Sequence, residues 1–289
     1  MHGQVLDWYA VHRRDLPWRR RGCSPWGVLV SEVMLQQTPV ARVEPVWHRW
    51  MERWPTPAAL AGAPAGEAVR AWDRLGYPRR ALRLHAAAGA VVERHGGRVP
   101  DGEEELRSLP GVGAYTAAAV AAFAFGRRTV VVDTNVRRVH ARAVGGRALP
   151  APALTAAETA LAGRLLPADA PTAATWSVAV MELGALVCTA RAPRCGSCPL
   201  VRRCAWVAAG SPPDDGPPRR GQAWEGTDRQ CRGRLLQVLR EAEGAVAGGR
   251  LRAVWPEELQ RERCLDGLVA DGLVEPLADG RYALPGSPR

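Results

Sequence analysis

The stretch LPGVGAYTAAAVAAFAFGRRTVVVDTN, residues 109–135, decides the fold that this sequence predicts. Its Gly111-Val112-Gly113 turn lies between two predicted helices. A Gly-x-Gly turn lets backbone N–H groups approach a phosphate without obstruction from a side chain, and the following helix adds its N-terminal dipole. The apolar run that comes next ends at Asp133, where another helix is predicted to start. The stretch therefore predicts a helical hairpin suited to phosphate, followed by a carboxylate at a helix N-terminus.

Helices on either side of this stretch make up nearly all of the first 209 residues. Ser24-Pro25 has the residues of an N-cap and a first helical turn. The helix that it opens is predicted to run through VLVSEVMLQQ (28–37), until Pro39 stops or kinks it. The other helices are separated by proline and glycine. They are predicted at 8–14, 40–54, 67–75, 80–94, 103–108, 114–125, 135–143, 155–165 and 172–186.

The remainder of the chain divides into a linker and a small C-terminal domain. Residues 211–228 are rich in proline, glycine and charge without periodicity, as in a linker. Two predicted helices, 229–242 and 256–271, then precede two short strands joined at Asp279-Gly280, which is a hairpin turn signal. Helices followed by a β-hairpin indicate a winged-helix-like domain over residues 229–289.

The composition favours a nucleic-acid partner and no membrane span. The 289 residues are 47% hydrophobic, which is enough for the cores of two or three domains. No apolar run reaches the roughly 18 residues that a membrane helix needs. The net charge of +10 favours a polyanionic partner, although a basic protein without such a partner has the same charge. The N-terminal residues lack the pattern of a signal peptide, so we expect a cytoplasmic protein.

Four of the seven cysteines form a compact pattern, C-x6-C-x2-C-x5-C, with no histidine inside the loop. Zinc sites usually use two separated CxxC pairs or add histidine, whereas iron–sulfur clusters take four cysteines from closely packed loops. The spacing therefore favours a cluster and leaves structural zinc as the alternative. The four cysteines are Cys188, Cys195, Cys198 and Cys204.

The surroundings of this loop are basic, and the other cysteines are scattered. Arginines in and beside the loop either face DNA or form a solvated charged surface; they are Arg191, Arg194, Arg202 and Arg203. In a cytosolic chain disulfides are not expected. The remaining thiols, Cys23, Cys231 and Cys264, are expected to be small buried residues.

Two carboxylates lie in surroundings that predict different pKa values. Glu32 lies in the apolar segment VLVSEVMLQQT, with Gln36 predicted one turn further along the same helical face. Poor solvation should raise the pKa of Glu32, whereas a helix N-terminus should keep Asp133 an anion. An acid and an anion of this kind perform glycoside hydrolysis. Considered singly, Glu32 is equally a hydrogen-bonded buried polar group and Asp133 a plain N-cap.

Five segments together resemble the adenine DNA glycosylase (MutY) family of the helix–hairpin–helix, or endonuclease III, superfamily. The resemblance covers about residues 5–210. It implies an all-α glycosylase of two lobes, 1–25 with 130–210 and 26–129, in which the four cysteines bind a [4Fe–4S] cluster. The segments, in order, are SEVMLQQT (31–38), Gly76-Tyr77, LPGVGAYTA (109–117), VDTNVRRV (132–139) and the cysteine loop.

The same resemblance implies roles for individual residues. Glu32 matches the residue that protonates N7 of the extruded adenine, and Asp133 matches the one that stabilises the oxocarbenium-like sugar and assists water or a transient covalent step. Tyr115 matches a tyrosine that acts against the sugar or the nucleophile. Gln37 and Tyr77 match residues that wedge into the base stack. The implied substrate is double-stranded DNA with adenine opposite 8-oxoguanine or guanine, and the implied protein is a monomer.

Lysine is missing from the sequence, since all 39 basic residues are arginine. Endonuclease III relatives carry a lysine where this chain has Tyr115, so a lysine Schiff-base lyase is excluded and base removal without lyase activity is expected. Tyrosine there also resembles the thymine/uracil mismatch glycosylases, which are the alternative; Gln36-Gln37 favours adenine. A non-catalytic iron–sulfur redox regulator is a further alternative, but it leaves Glu32 and Asp133 without a purpose.

The C-terminal region departs from the family pattern. Better-known members end in a β-rich, Nudix-like domain that recognises 8-oxoguanine, and the roughly sixty residues here are too few and too helical for that domain. Arg261 and Arg263 are predicted on the second helix of this region. The region is therefore expected either to contact DNA through these arginines or to serve as a packing or partner-binding module.

Overall fold

The computed structural model describes residues 1–214, 216 and 223–287. Within them the regular structure is almost entirely helical, and no helix is long and apolar enough to cross a membrane. The helices are α1 (His2–His12), α2 (Pro25–Leu35), α3 (Val40–Arg53), α4 (Pro57–Ala61), α5 (Ala65–Ala71), α6 (Arg79–His95), α7 (Glu103–Arg107), α8 (Ala114–Phe125), α9 (Thr134–Ala143), α10 (Ala156–Leu165), α11 (Ala170–Leu186), α12 (Ala205–Ala208), α13 (Asp228–Glu241), α14 (Gly248–Val254) and α15 (Glu258–Ala270). The strands are β1 (Val246–Ala247), β2 (Glu275–Pro276) and β3 (Arg281–Ala283).

The described residues group into two compact units. The first unit comprises residues 1–29, 101–108 and 112–214 with 216, and the second comprises 30–100, 109–111 and 223–287. The predicted lobes divide the chain at other residues and remain a proposal. The predicted linker, 211–228, lies partly outside the described residues, because positions 215 and 217–222 are not among them.

The first unit is built around α11, which packs against α1 and α9. Its core includes Trp8, Val136, Trp176 and Leu183. Asp169 starts α11, since its carboxylate accepts a hydrogen bond from the backbone N–H of Thr172. Along the chain α11 leads directly into the cysteine loop.

The second unit has an aromatic centre and holds the C-terminal residues. Trp50 makes edge-to-face contacts with Trp54 and Trp72, with ring centroids 4.9 and 5.5 Å apart. In the same unit the Arg240 side chain donates to the carbonyl of Val69 at 2.9 Å. A Cβ at Gly66 would lie 2.6 Å from the Pro285 carbonyl oxygen, so only glycine permits this approach of the chain end to α5.

The C-terminal residues contain the predicted helices and hairpin, while a separate winged-helix-like domain stays a prediction. Along the chain the order is α13, β1, α14, α15, β2 and β3, and the strands form an antiparallel sheet in the order β1-β3-β2. Val246 is paired with Tyr282 and Glu275 with Ala283. The hairpin turn at Asp279-Gly280 is confirmed: Gly280 has φ of 76° and the Asp279 carboxylate accepts from the N–H of Arg281.

Some local features of the structure differ from those that the sequence predicts. The first helix begins at His2 rather than near residue 8, and α4, β1 and α14 were not predicted. The helix that starts at Pro25 ends at Leu35, because Gln37 has φ of 57°, which an α-helix cannot contain. Gln36 therefore lies in a turn beyond α2, and not one turn from Glu32 on a shared helical face.

Candidate active site and cysteine cluster

The two glycines of the hairpin between α7 and α8 lie in different surroundings. Gly111 has φ of 77°, and a Cβ there would lie 2.7 Å from the Cβ of Arg83. Gly113, with φ of −87°, is the N-cap of α8 and has no such conformational need. A Cβ on Gly113 would meet no atom within 4 Å among the described residues, its two chain neighbours aside. The backbone at the start of α8 is thus left open to a ligand.

Glu32 lies near the end of α2, in a segment buried on all sides. It is 5% exposed, and the neighbouring Ser31 and Val33 are 0% and 4% exposed. Burial of a carboxyl group disfavours its ionised form unless neighbouring groups stabilise it. The burial that the sequence predicted for Glu32 is confirmed, whereas its role remains a proposal.

Asp133 is the N-cap of α9. Its Oδ1 accepts from the backbone N–H of Val136 and its Oδ2 from Nδ2 of Asn135, both at 2.7 Å. Burial raises the pKa of Asp133 above its ordinary value, although these hydrogen bonds and the charge of Arg138 lower it. The predicted dominance of the helix N-terminus is therefore wrong, because desolvation of the carboxylate is the larger effect.

A hydrogen-bonded chain connects Asp133 to the cysteine loop. Asn135, which donates to Asp133, accepts from Nη2 of Arg138 at 2.7 Å. The Nε of Arg138 donates to the carbonyl of Cys188 at 2.6 Å, and its Nη2 donates to the carbonyl of Gly184 at 2.7 Å. A Cβ on Gly184 would lie 2.7 Å from that of Asn135, so glycine allows α11 to reach the start of α9.

Asn135, Arg138 and Gly184 were not identified from the sequence. The i, i+3 spacing of Asn135 and Arg138 on α9 was a usable signal, since such residues are neighbours on a helix. The interior glycine of MELGAL (181–186) was another, because a glycine within a helix costs stability and calls for a packing reason.

Tyr115 lies in the first turn of α8 and is partly buried. It packs against an apolar cluster that includes Ala119, Ala122 and Val131. Val131 precedes Asp133 by two residues, so the structure brings the ring of Tyr115 to the segment that leads into Asp133.

The two predicted wedge residues lie in separate turns, each with an unusual backbone. Gln37 has φ of 57° and is exposed. Tyr77 has φ of 47° and is 53% exposed, next to Gly76 with φ of 81°. Residues with a Cβ adopt such left-handed conformations at a cost, and that cost is often found at functional positions. Gln36, which follows the last residue of α2 and precedes Gln37, is half-buried.

The four cysteines line one pocket beside α9, together with Arg142 and Trp206. Arg142 lies 4.7 Å over the Trp206 ring. Its Nη1 donates to the carbonyl of Thr189 at 2.7 Å and contacts Sγ of Cys188 at 3.5 Å, and its backbone carbonyl is 3.5 Å from Sγ of Cys204. One buried arginine thus holds both ends of the cysteine loop.

The donor set of this pocket fits a cluster better than a single ion. All four thiols are free, and burial together with the neighbouring thiols raises the pKa of Cys198 to about 11. A bound metal centre would offset that cost, because its charge stabilises thiolates. Four thiols from one short loop are the usual donor set of an iron–sulfur cluster.

The two arginines considered for DNA contact in the C-terminal unit already have partners. Arg261 is 7% exposed and donates to the carbonyl of Trp255 at 2.9 Å. Arg263 forms an ion pair with Asp228 at 2.8 Å. Residues 223–287 carry nine arginines against eleven aspartates and glutamates, whereas the whole chain has a charge of +10. The excess of positive charge therefore lies outside residues 223–287.

Comparison with known proteins gives relatives that match nearly the full length. The model of the HhH-GPD superfamily base excision DNA repair proteins matches residues 30–162. Adenine DNA glycosylases of Mycobacterium tuberculosis H37Rv and Mycolicibacterium smegmatis are 57% and 55% identical, over 98% of this chain and 92% and 95% of their own lengths. The human adenine DNA glycosylase is 44% identical over 70% of this chain and 38% of its own length.

Solved structures confirm the predicted all-α helix–hairpin–helix fold. A thermostable thymine-DNA glycosylase is 28% identical with a TM-score of 0.64, covering 72% of this chain and 95% of that one. Endonuclease III in a non-covalent DNA complex is 25% identical with a TM-score of 0.62, covering 72% of this chain and 94% of that one. With the full-length sequence relatives, these matches decide the assignment. The chain belongs to the adenine DNA glycosylase family, within the helix–hairpin–helix superfamily of base excision DNA repair proteins.

Proposed function

We propose that this protein removes adenine from DNA in base excision repair, by hydrolysing the N-glycosidic bond of adenine opposite 8-oxoguanine or guanine in a duplex. The observation that carries the proposal is the 57% identity to an adenine DNA glycosylase over 98% of the chain. Support from the chemistry comes from a buried carboxyl at Glu32 and a desolvated one at Asp133. We expect a monomer that works in the cytoplasm, at the nucleoid.

Glu32 supplies the proton in this mechanism. Adenine is a poor leaving group as an anion, so its N7 must be protonated as the bond to the sugar breaks. Glu32 is 5% exposed, and a buried carboxyl group beside the base is in a position to donate a proton without competition from bulk water in this proposal. Glu32 therefore acts as the general acid.

Asp133 stabilises the positive charge that develops on the sugar. Its carboxylate is held by Val136 and Asn135 and is short of solvent, so it interacts strongly with a nearby cation. The raised pKa of Asp133 in the DNA-free protein does not oppose this role, since a developing oxocarbenium ion favours the ionised form. Tyr115 contacts the sugar or the attacking group.

Recognition depends on extrusion of the base. Flipping costs about a few kcal/mol and less at a mispair, which favours mispaired adenine. Gln37 and Tyr77 enter the stack, and Gln36 assists in the selection of adenine. Backbone N–H groups at Gly111 and Gly113 bind phosphate, supported by the open space beside Gly113.

The four cysteines hold a [4Fe–4S] cluster in this proposal. When bound, the cluster supplies no step of base hydrolysis, which moves no electron, and serves as a scaffold. The pocket that the four free thiols line supports this assignment. The residues that do the positioning are Arg138 and Arg142, which bind the carbonyls of Cys188 and Thr189. Exposed arginines of the loop, including Arg191 and Arg202, face DNA.

The test is base release from defined duplexes. Adenine should be released from A opposite 8-oxoguanine and from A opposite G, with little thymine released from T opposite G. Glu32→Gln and Asp133→Asn should each lose this activity, and without a lysine no Schiff base should be trapped by borohydride. If only thymine is released, the alternative holds, for which the thymine-DNA glycosylase structure is the supporting observation. If Glu32→Gln and Asp133→Asn retain function in cells and cysteine variants lose it, the protein is a regulator.

A further inference from the structure

Arg80 lies in the first turn of α6 and is 7% exposed. Its Nη1 donates to the carbonyls of Val33, Met34 and Gln36 at 2.9, 3.0 and 2.6 Å. These carbonyls belong to the end of α2 and to the turn after it, and α2 is the helix that carries Glu32. One nitrogen thus satisfies carbonyl groups that the helix leaves without partners where it ends at Leu35.

The other terminal nitrogen of Arg80 binds a second turn. Nη2 donates to Oγ1 of Thr38 at 2.9 Å and to the carbonyl of Gly76 at 3.1 Å. The Thr38 hydroxyl donates in turn to the carbonyl of Leu75 at 3.1 Å. A single guanidinium therefore links the turn that contains Gln37 to the turn that contains Tyr77.

Both turns hold an exposed side chain on a left-handed backbone. Gln37 has φ of 57° and Tyr77 has φ of 47°, and such conformations persist only where the surroundings determine them. The guanidinium also lies 5.5 Å from the centre of the Tyr77 ring and 5.2 Å from that of Trp72. Arg80 thus contacts the backbone on both sides of these residues and one of the two side chains.

The choice of arginine here has a cost that packing alone does not explain. The oxygen atoms that accept from Arg80 are main-chain carbonyls and one hydroxyl, and its Nε is buried without a hydrogen-bond partner. Burial lowers the pKa of Arg80 to about 10, which is still high enough for the guanidinium to be charged at neutral pH. A buried cation is expensive, and an apolar side chain would fill the space more cheaply. The planar guanidinium has two terminal nitrogens, and it can therefore donate to both turns at once.

We propose that Arg80 is a positioning residue that fixes Gln37 and Tyr77, before DNA binds, in the conformation with which they enter the base stack. The inference rests on the proposed function, in which these two side chains open the stack for the flipped adenine. Arg80 itself touches neither base nor sugar in this proposal. Without it both turns relax from the left-handed conformation, and DNA binding must order them again.

The test compares variants of the full chain on a duplex that holds A opposite 8-oxoguanine, with fluorescent 2-aminopurine next to the adenine. Arg80→Met removes all the hydrogen bonds, and Arg80→Lys keeps a charge that can reach one turn. Arg240→Met is the matched control, since burial lowers the pKa of Arg240 to about 10 as well and its side chain donates to the carbonyl of Val69 in the same unit. Each variant is measured well below its own melting temperature.

Arg80→Met should lose most of the fluorescence increase that marks unstacking, and its single-turnover rate should fall on the order of 100-fold, as expected for displaced positioning groups. Arg80→Lys should be intermediate. Arg240→Met should melt at a lower temperature but unstack the duplex like the wild type. Tyr77→Ala should add little to Arg80→Met, because the two changes remove the same wedge.

Two results would overturn the proposal. If Arg80→Met unstacks the duplex like the wild type, Arg80 does not position the wedge residues. If Arg240→Met loses as much of the fluorescence increase as Arg80→Met, the loss reflects lower stability in general. The fluorescence is read whether or not adenine is released. A wild type that unstacks the duplex without releasing adenine therefore contradicts the proposed function and leaves the role of Arg80 to be judged by its variants. A wild type that does not unstack the duplex contradicts the wedge and the role of Arg80 together.

Discussion

Asp133 and Glu182 are two carboxylates of the first unit that lie in opposite electrostatic surroundings. Glu182, in the middle of α11, is fully buried and binds Arg14 at 2.7 Å and Arg19 at 2.9 Å. These arginines lower the pKa of Glu182 to about 2, whereas burial raises the pKa of Asp133, whose direct partners are a backbone N–H and an amide. The charge of Glu182 is compensated by two direct ion pairs, whereas Asp133 has hydrogen bonds and the nearby charge of Arg138, which together are outweighed by its desolvation. A compensated charge stabilises the fold, and an undercompensated one is available to a cation that forms during a reaction.

The largest effect is expected from Asp133→Asn. Asparagine is as good an N-cap as aspartate but carries no charge, so the rate of adenine release should fall by roughly 1,000-fold or more. Stability should change little. The raised pKa of Asp133 means that its contribution to stability is present below its ordinary value of 3.8 and is lost as the pH rises through the folded value, so the variant avoids the cost of a buried anion at pH 7. The new amide NH2 group, however, faces the donor Nδ2 of Asn135, which offsets this gain, and the variant should unfold at a denaturant concentration close to that of the wild type.

Urea titration at pH 7 with single-turnover kinetics checks both parts. A variant that is inactive and also markedly less stable would mean that Asp133 is a structural residue, which would remove the contrast with Glu182. The same change at Asp169, an exposed N-cap of α11, is the matched control and should leave activity intact.

The second effect is expected from Glu182→Gln. The pKa of Glu182 is lowered from 4.5 to about 2, which at 1.36 kcal/mol per unit corresponds to roughly 3 kcal/mol of stability. A lowered pKa means that this stability is present above pH 4.5 and is lost as the pH falls toward 2. The difference in unfolding free energy between wild type and variant should therefore shrink over that range, while the folded variant keeps its rate of adenine release. A rate loss as large as that of Asp133→Asn would contradict the division of roles.

A third effect concerns the chain of hydrogen bonds from Asp133 to Cys188. Arg138→Gln removes the donors to Asn135, Gly184 and Cys188, so the orientation of Asp133 should depend less on the cysteine loop. We expect a loss of about 10- to 100-fold in the rate of adenine release with the folded cluster loop retained, as for loss of an orienting partner. Visible absorbance, which the proposed [4Fe–4S] cluster would give, reports on the loop, and single-turnover rates report on Asp133. Loss of absorbance and rate together would assign Arg138 to the loop alone.

A fourth effect is a pH dependence that neither carboxylate explains. His140, also on α9, is 5% exposed, and burial lowers its pKa from 6.5 to about 4. The lowered pKa means that its contribution to stability is present above pH 6.5 and is lost as the pH falls through 4. His140→Gln should flatten this part of the stability profile, measured as melting temperature from pH 7 to pH 4. An unchanged slope would assign the acid sensitivity to other groups.

The smallest effect is expected from Arg263 and Asp228. The charge of Asp228 is compensated by an ion pair, like that of Glu182, but this pair is exposed to solvent. Arg263→Ala should change the melting temperature little, because exposed ion pairs contribute little. It should also leave the preference for A opposite 8-oxoguanine over A opposite G within about twofold, since a single phosphate contact would not carry lesion recognition. A large drop in that preference would make the C-terminal unit a reader of the lesion.

Local features of the candidate site follow from the sequence. Gly111 is required for a turn with φ of 77°, and Asp133 is an N-cap followed by a helix, both of which short-range patterns predict. The spacing of the cysteines brings them to one pocket because all four lie within a short loop. Glu32 is buried because the residues beside it in the segment are apolar.

Features that depend on distant residues could not be predicted in this way. Arg80 binds carbonyls 44 to 47 positions away, and Arg138 binds one 50 positions away, so no local pattern contains both partners. Arg261 was considered for DNA contact from its place on a helix, yet its side chain is folded inward on the carbonyl of Trp255.

The sequence by itself determined the family, the hairpin and the cysteine loop and predicted the two carboxylates, because each of these motifs consists of residues close together along the chain. The tertiary structure decided which way the pKa of Asp133 moves, which arginine joins the turns of Gln37 and Tyr77, and which arginines are already paired. The physical reason is that desolvation and charge compensation sum over every neighbour in space, and most of those neighbours are far away along the chain.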